Sequence, residues 1–206
     1  MVSPAEGAVD ATGLEMRQAS AHYINHRHGQ YFRQRYWMKL TVVCHTGSYL
    51  FVGSAVSRGP SNDAPQFAPA MRQAAENVTF DRILADAAYD SEAHHRLCRE
   101  QLGVRSTSIP LNPRGNPQTV PKTKYRRQMH TRFFCRIYRH RSHVESAISQ
   151  DKRVLGSALR ARSDESRTRE SFLRVLTHDL MILRSSLFKV STEPSMLSCE
   201  IAFPHL

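Results

Sequence analysis

What the chain has little of narrows its nature first. Only four cysteines occur in 206 residues, Cys44, Cys98, Cys135 and Cys199, and none pairs with another at the spacing of a disulfide scaffold. Cys44-His45, His26-x-His28 and His94-His95 also lack the paired-ligand spacing of a tetrahedral zinc site. No apolar stretch is long enough for a signal peptide or a membrane span, so a cytoplasmic location with reduced thiols is expected. No internal repeat or low-complexity segment is present. Acids are scarce as well: 18 Asp and Glu stand against 29 Lys and Arg, a net charge of +11. Most of that excess lies between Arg96 and Arg184, and such a surface favours polyanions.

What is present reads as strands first and helices later. A domain of this length buries roughly 70% of its unfolded surface, enough for a true core. Residues 38–45 and 49–57 are β-branched runs around Thr46-Gly47-Ser48 and predict a hairpin. A helix is expected over 63–77 with Asp63 as its N-cap, then a buried strand over 80–86. Asp90 is expected to cap a second helix that Gly103 ends, and a further strand is expected over 104–110. Prolines and a glycine make 111–124 a loop.

From Tyr125 the chain is mostly helical, and no Gly or Pro interrupts 126–155. Over 169–187, Phe172, Leu173, Leu176, Leu180, Leu183 and Leu187 recur at helical spacing and read as core. The last nineteen residues have no clear period and read as a tail. With a short first strand around Asp10, the order is that of an α/β domain, a mixed sheet flanked by helices, over 1–187, with a tail over 188–206.

Three acids stand out against this background. Glu145 lies in the basic run YRHRSHVESAISQDK; at about 100° per residue, Arg141, Glu145 and Lys152 fall roughly 60°, 20° and 40° from Tyr138, on one stripe. Val144, Ala147, Ile148 and Ile137 form the adjoining apolar face. The plain alternative is a solvated Arg141–Glu145 pair, worth a few tenths of a kcal/mol. Asp86 closes the apolar strand RILA, where it either points into the crevice above the sheet or caps the next helix. Asp10 ends a short apolar segment before a turn that Gly13 permits, and so is either a site residue or a turn former.

Convergent carboxylates repel one another unless a cation neutralises them, and hard oxygen donors select magnesium or manganese over zinc. Two such ions about 4 Å apart suit in-line displacement at a phosphodiester. Arg141 and Lys152 would then hold backbone phosphates beside the acids.

The spacing of Tyr138, Arg141, Glu145 and Lys152, with two, three and six residues between them, resembles the signature of bacterial insertion-sequence DDE transposases of the group numbered four. DATG at Asp10 and ILADAAYDSEAHHRL around Asp86 resemble that family's first and second acid motifs; GPSNDAPQF at 59–67 and YRRQMHTRFF at 125–134 are similar to its linking segments. Ala88 stands where the family often has glycine.

The resemblance spans roughly residues 8–187 and implies a ribonuclease-H-like fold. It implies a metal-binding catalytic triad of Asp10, Asp86 and Glu145 with Mg2+ or Mn2+, two ions in all, and DNA contacts from Tyr138, Arg141 and Lys152. The implied activity is DNA cleavage and strand transfer on duplex DNA, transposon ends and target alike, by a homodimer assembled at the nucleoid. On this resemblance the family's usual upstream DNA-binding region is expected to be missing ahead of Asp10. The alternatives are a truncated remnant that only binds DNA, and a related metal-dependent nuclease.

Overall fold

The structure, a computed structural model, describes residues 5–16, 37–112 and 120–192. Its first strand, β1 (Glu6–Met16), is longer than expected and runs straight through Gly13. No turn forms there. A Cβ on Gly13 would lie 3.1 Å from Cδ1 of Trp37, so the bare position makes room for the indole of the neighbouring strand.

That neighbour, β2 (Trp37–His45), pairs antiparallel with β1 and forms the expected hairpin with β3 (Phe51–Gly59). On the other side of β1, β4 (Arg82–Ala85) and β5 (Ser106–Ser108) add in parallel. Among the described residues the strands form one sheet in the order β3-β2-β1-β4-β5, and the two-residue β6 (Ala158–Leu159) pairs with the end of β1. β1 is therefore central, and its alternation sorts the core. Val9 belongs to one apolar cluster, while Ala8 and Leu14 belong to another on the opposite face.

Helix α1 (Ala64–Asn77) covers the first face through Phe67, Ala70, Met71 and Ala74. Asp63 makes no capping bond to it, because its carboxylate pairs with Lys39 instead. Helix α2 (Glu92–Arg96) continues into a π-type turn over Leu97–Gln101 and ends before Gly103, whose φ of +70° suits glycine. Ser91, not Asp90, caps α2, accepting from the Ala93 N–H at 3.3 Å. Asp90 is buried and taken by other donors: both Arg126 Nη2 at 2.7 Å and the Asn112 N–H at 2.9 Å reach its Oδ2. Part of the expected 111–124 loop, residues 113–119, lies outside the described residues.

The unbroken helix expected over 126–155 is found in pieces: α3 (Lys124–Thr131), α4 (Cys135–Tyr138), a 3-10 turn over Arg139–Arg141, and α5 (Ser142–Leu155). The chain leaves helical geometry at Arg132 (φ −140°, ψ 59°) and Phe134 (φ −93°, ψ 87°). Tertiary contacts account for the breaks without Gly or Pro. Tyr125 and Met129 bury α3, with the Tyr125 hydroxyl donating to Glu100 on the turn after α2 at 3.0 Å, while Phe133 packs back on the Tyr138 ring at 5.2 Å. Helix α5 then covers the second face of the sheet with Val144 and Ala147.

Helix α6 (Asp164–Thr192) overturns one expectation. Its leucines are not core. Phe172, Leu173, Leu176, Leu180, Leu183 and Leu187 are 42–71% exposed, while Ser171, Arg174 and His178 are buried. The polar side faces inward because partners wait there. Arg174 Nε donates to Asp151 on α5 at 2.6 Å, Arg174 also reaches the Gly156 carbonyl, and His178 Nε2 donates to the Tyr49 carbonyl at 3.1 Å while its ring stacks on Phe51. The helix also runs five residues into the segment expected to be tail, and 193–206 lie outside the described residues. Among the described residues no helix is long and apolar enough to cross a membrane.

Candidate active site

Strand alternation decides where the first acid lies. Asp10 shares the parity of Ala8 and Leu14, whose cluster is the one α5 covers. Since Val9 pairs with Ala85 across parallel strands, the next residues, Asp10 and Asp86, sit side by side where β4 ends. Glu145 is in the first turn of α5, next to the buried Val144. Three elements thus deliver one carboxylate each.

A single guanidinium meets all of them. Arg141 Nη1 lies 2.6 Å from Glu145 Oε1, while Nη2 lies 3.1 Å from Asp86 Oδ2 and 3.5 Å from Asp10 Oδ2. The structural and functional readings of the two aspartates coexist, one oxygen apiece. Asp86 Oδ1 accepts from the Ala88 N–H at 3.1 Å and caps the 3-10 turn over Ala87–Tyr89, and Asp10 Oδ1 accepts from the Ala11 N–H at 2.9 Å. Ala88 has no left-handed backbone, so glycine is not required there. The Arg141–Glu145 pair is indeed an i,i+4 ion pair, but it is joined to two further acids rather than left alone in solvent.

Electrostatics follow from this crowding. Burial raises the Asp10 carboxyl above the ordinary range; Arg141 and the Ala11 N–H oppose the rise, and Glu145 and Asp86 add to it. Burial works against the charge of Arg141, yet Asp10, Tyr138, Asp86 and Glu145 together hold it firmly protonated. The Tyr138 hydroxyl is raised by burial first, is lowered by Arg141, and is raised again by the same three acids. Tyr138 therefore belongs to this neighbourhood.

A groove of about 460 Å³ opens beside the acids and is lined by Asp10, Thr12, Glu145, Ser149, Lys152 and Arg153, among others. Lys152 is where the stripe predicts it, despite the 3-10 turn between Tyr138 and α5. Thr12, Ser149 and Arg153 were not anticipated. Their signals were present: Thr12 shares the parity of Asp10 on β1, and Ser149 lies one turn beyond Glu145.

As they stand, no three His, Cys, Asp or Glu side chains among the described residues are close enough to share one metal ion. The donor set nevertheless suits a hard divalent cation, with oxygen donors from three carboxylates and no sulfur or imidazole. The centre of the cluster is filled by the Arg141 guanidinium, which supplies the neutralising charge that such an ion would bring.

Comparison with known proteins bears on the family and the fold. The family model of the transposase DDE domain matches residues 3–180. Among solved structures, a piggyBac transposase synaptic complex with hairpin DNA matches with a TM-score of 0.55 at 11% identity, covering 92% of this chain and 48% of that one. The chain thus spans about half the length of that transposase, and at this identity the likeness concerns the fold. The catalytic core domain of BIV integrase matches with a TM-score of 0.45 at 14% identity, over 90% of this chain and 97% of that one. The mixed sheet with helices on both faces is a ribonuclease-H-like fold. Comparison with curated proteins finds no match.

Proposed function

This chain belongs to the transposase DDE domain family, and on that premise we propose that it cuts DNA at the ends of an insertion sequence and joins the freed ends to target DNA. The spacing of Tyr138, Arg141, Glu145 and Lys152 supports reading it as a member of the insertion-sequence group numbered four. One observation carries the reading: Asp10, Asp86 and Glu145 come from three elements and meet at one guanidinium beside a basic groove.

Asp10, Asp86 and Glu145 would hold Mg2+ or Mn2+, two ions in all, whose chemistry is to activate a water or a 3′-hydroxyl and to stabilise the leaving oxygen of an in-line displacement. The remaining work falls to the chain's own side chains. Lys152 and Arg153 on the groove wall hold the DNA backbone by its phosphates, and Tyr138 flanks the acids. Arg141 has the planar fork that fits phosphate oxygens, so it serves the carboxylates in the free protein and a phosphate once DNA is seated. Two copies, assembled on paired ends, bring two such sites to one target.

The test uses nicking of supercoiled plasmid in magnesium or manganese. Glu145→Gln, Asp10→Asn and Asp86→Asn should each lower the rate by about a thousandfold or more, with DNA affinity equal or higher because a negative charge leaves the groove. If Glu145→Gln nicked as fast as the parent, the assignment of the three acids would be wrong.

A further inference from the structure

Two consecutive residues of the 3-10 turn over Arg139–Arg141 reach two different levels of the sheet. Glu6 pairs with Arg82 across β1 and β4, Ala8 pairs with Leu84, and Asp10 and Asp86 follow in the same register. By strand alternation all six share the face that α5 covers. The Arg141 guanidinium meets the acids at the upper level. His140 goes to the lower one. Its Nδ1 donates to Glu6 Oε2 at 2.7 Å, and the other oxygen of that carboxylate pairs with Arg82. The two levels are four positions apart on β1, about 13 Å at the rise of a strand. The turn is therefore gripped at two points along one strand.

A histidine beside a carboxylate on an open surface contributes little. Glu6 differs because it is buried, with only 6% of its surface exposed, and because its main chain is engaged as well. The Thr46 N–H donates to the Glu6 carbonyl at 2.9 Å, and the Thr46 carbonyl accepts from His143 Nδ1 at 3.0 Å. The rings of His140 and His143 stack with their centroids 5.8 Å apart. Both imidazoles lead back to Glu6. Among the described residues no side chain caps the 3-10 turn or the start of α5, so the side chains that tie this turn to β1 are those of His140 and Arg141. When Arg141 turns to a phosphate, the His140 contact is the one of the two that remains.

We propose that Glu6 and His140 are positioning residues for the site. They hold the turn in register along β1, so that Arg141 and, four residues on, Glu145 keep their places beside Asp10 and Asp86. Glu6 acts through His140, and His140 acts through the backbone of the turn. The inference rests on the reading of Asp10, Asp86 and Glu145 as the catalytic acids, and a misplacement of about 1 Å is enough to cost such a site about a hundredfold in rate.

Single-turnover nicking by the whole chain at saturating duplex DNA separates positioning from binding. His140→Ala should slow it about tenfold or more, with DNA affinity within about twofold of the parent. In His140→Asn the side-chain N–H takes the place of the Nδ1–H and can donate to Glu6, so this variant should nick within about threefold of the parent. Amide hydrogen exchange over residues 139–145 reads the same effect without chemistry: it should be faster in His140→Ala and parental in His140→Asn. If Glu145→Gln nicks as fast as the parent, the reading of the acids fails, and the exchange pattern still decides the inference. It is overturned if His140→Ala nicks at the parental rate, if His140→Asn is as slow as His140→Ala, if the loss lies in DNA affinity, or if exchange over 139–145 is unchanged in His140→Ala.

Discussion

Helices α5 and α6 follow one another along the chain and face opposite ways. On α5 the apolar residues Val144 and Ala147 are buried, and the polar edge with Glu145, Ser149 and Lys152 is left to line the groove. On α6 the polar residues Ser171, Arg174 and His178 are buried, and the leucines are left outside. The difference teaches that amphipathic spacing identifies a helix with two faces but does not say which face turns inward. Burial of a polar face is tolerated when each group finds a partner, as Arg174 finds Asp151 and His178 finds the Tyr49 carbonyl. Leucines are thus left on the outer side of α6 and polar side chains on the outer edge of α5.

The largest break in this comparison comes from the ion pair that joins the two helices. Arg174→Met leaves the buried Asp151 carboxylate without its guanidinium, and should cost about 3–5 kcal/mol in urea unfolding. Adding Asp151→Leu should return most of that loss; a neutral single variant would mean that α6 is held by its other contacts. A smaller effect sharpens the contrast between the faces. Val144→Ala on α5 should lower stability by about 1–2 kcal/mol, while Leu173→Ala on α6 should change it by less than about 0.5 kcal/mol. Equal losses would place Leu173 in a core.

The smallest effect concerns the acids that α5 helps to gather. Burial lifts the Asp10 carboxyl above its ordinary value of 3.8, so the folded state prefers the protonated form. The penalty for its ionised form is fully present above the raised value and fades as pH falls through it towards 3.8. Asp10→Asn should therefore melt about 2 °C higher than the parent at neutral pH, with the advantage vanishing near pH 4 in a series of thermal melts. An advantage that grew on acidification would put the sign of that argument in error.

Several features were legible because they rest on neighbours along the chain. The hairpin around Thr46-Gly47-Ser48, the helix end at Gly103 and the apolar side of α5 each follow from local torsions and spacing. Others were not, because a distant group decided them. Gly13 looks like a turn residue until Trp37 is laid across it. Asp90 looks like a helix cap until Arg126 claims it, leaving the cap to Ser91. Nothing in 126–155 forbids one long helix, yet the seating of Tyr125 and Met129 and the contact of Phe133 with Tyr138 divide it.

By itself the sequence determines the strand and helix periods, the parity that puts Asp10 on the face of Ala8 and Leu14, and the stripe that carries Glu145 with Lys152, because all of these depend on backbone geometry within a few residues. Tertiary structure alone decides that one guanidinium meets three acids from three elements, and that α6 turns its polar side inward. Those outcomes depend on groups far away in the chain. Asp86 lies 55 residues from Arg141, and the Tyr49 carbonyl that receives His178 lies 129 residues before it. Local periodicity holds no record of such partners, and a polar group goes inside only where one is waiting.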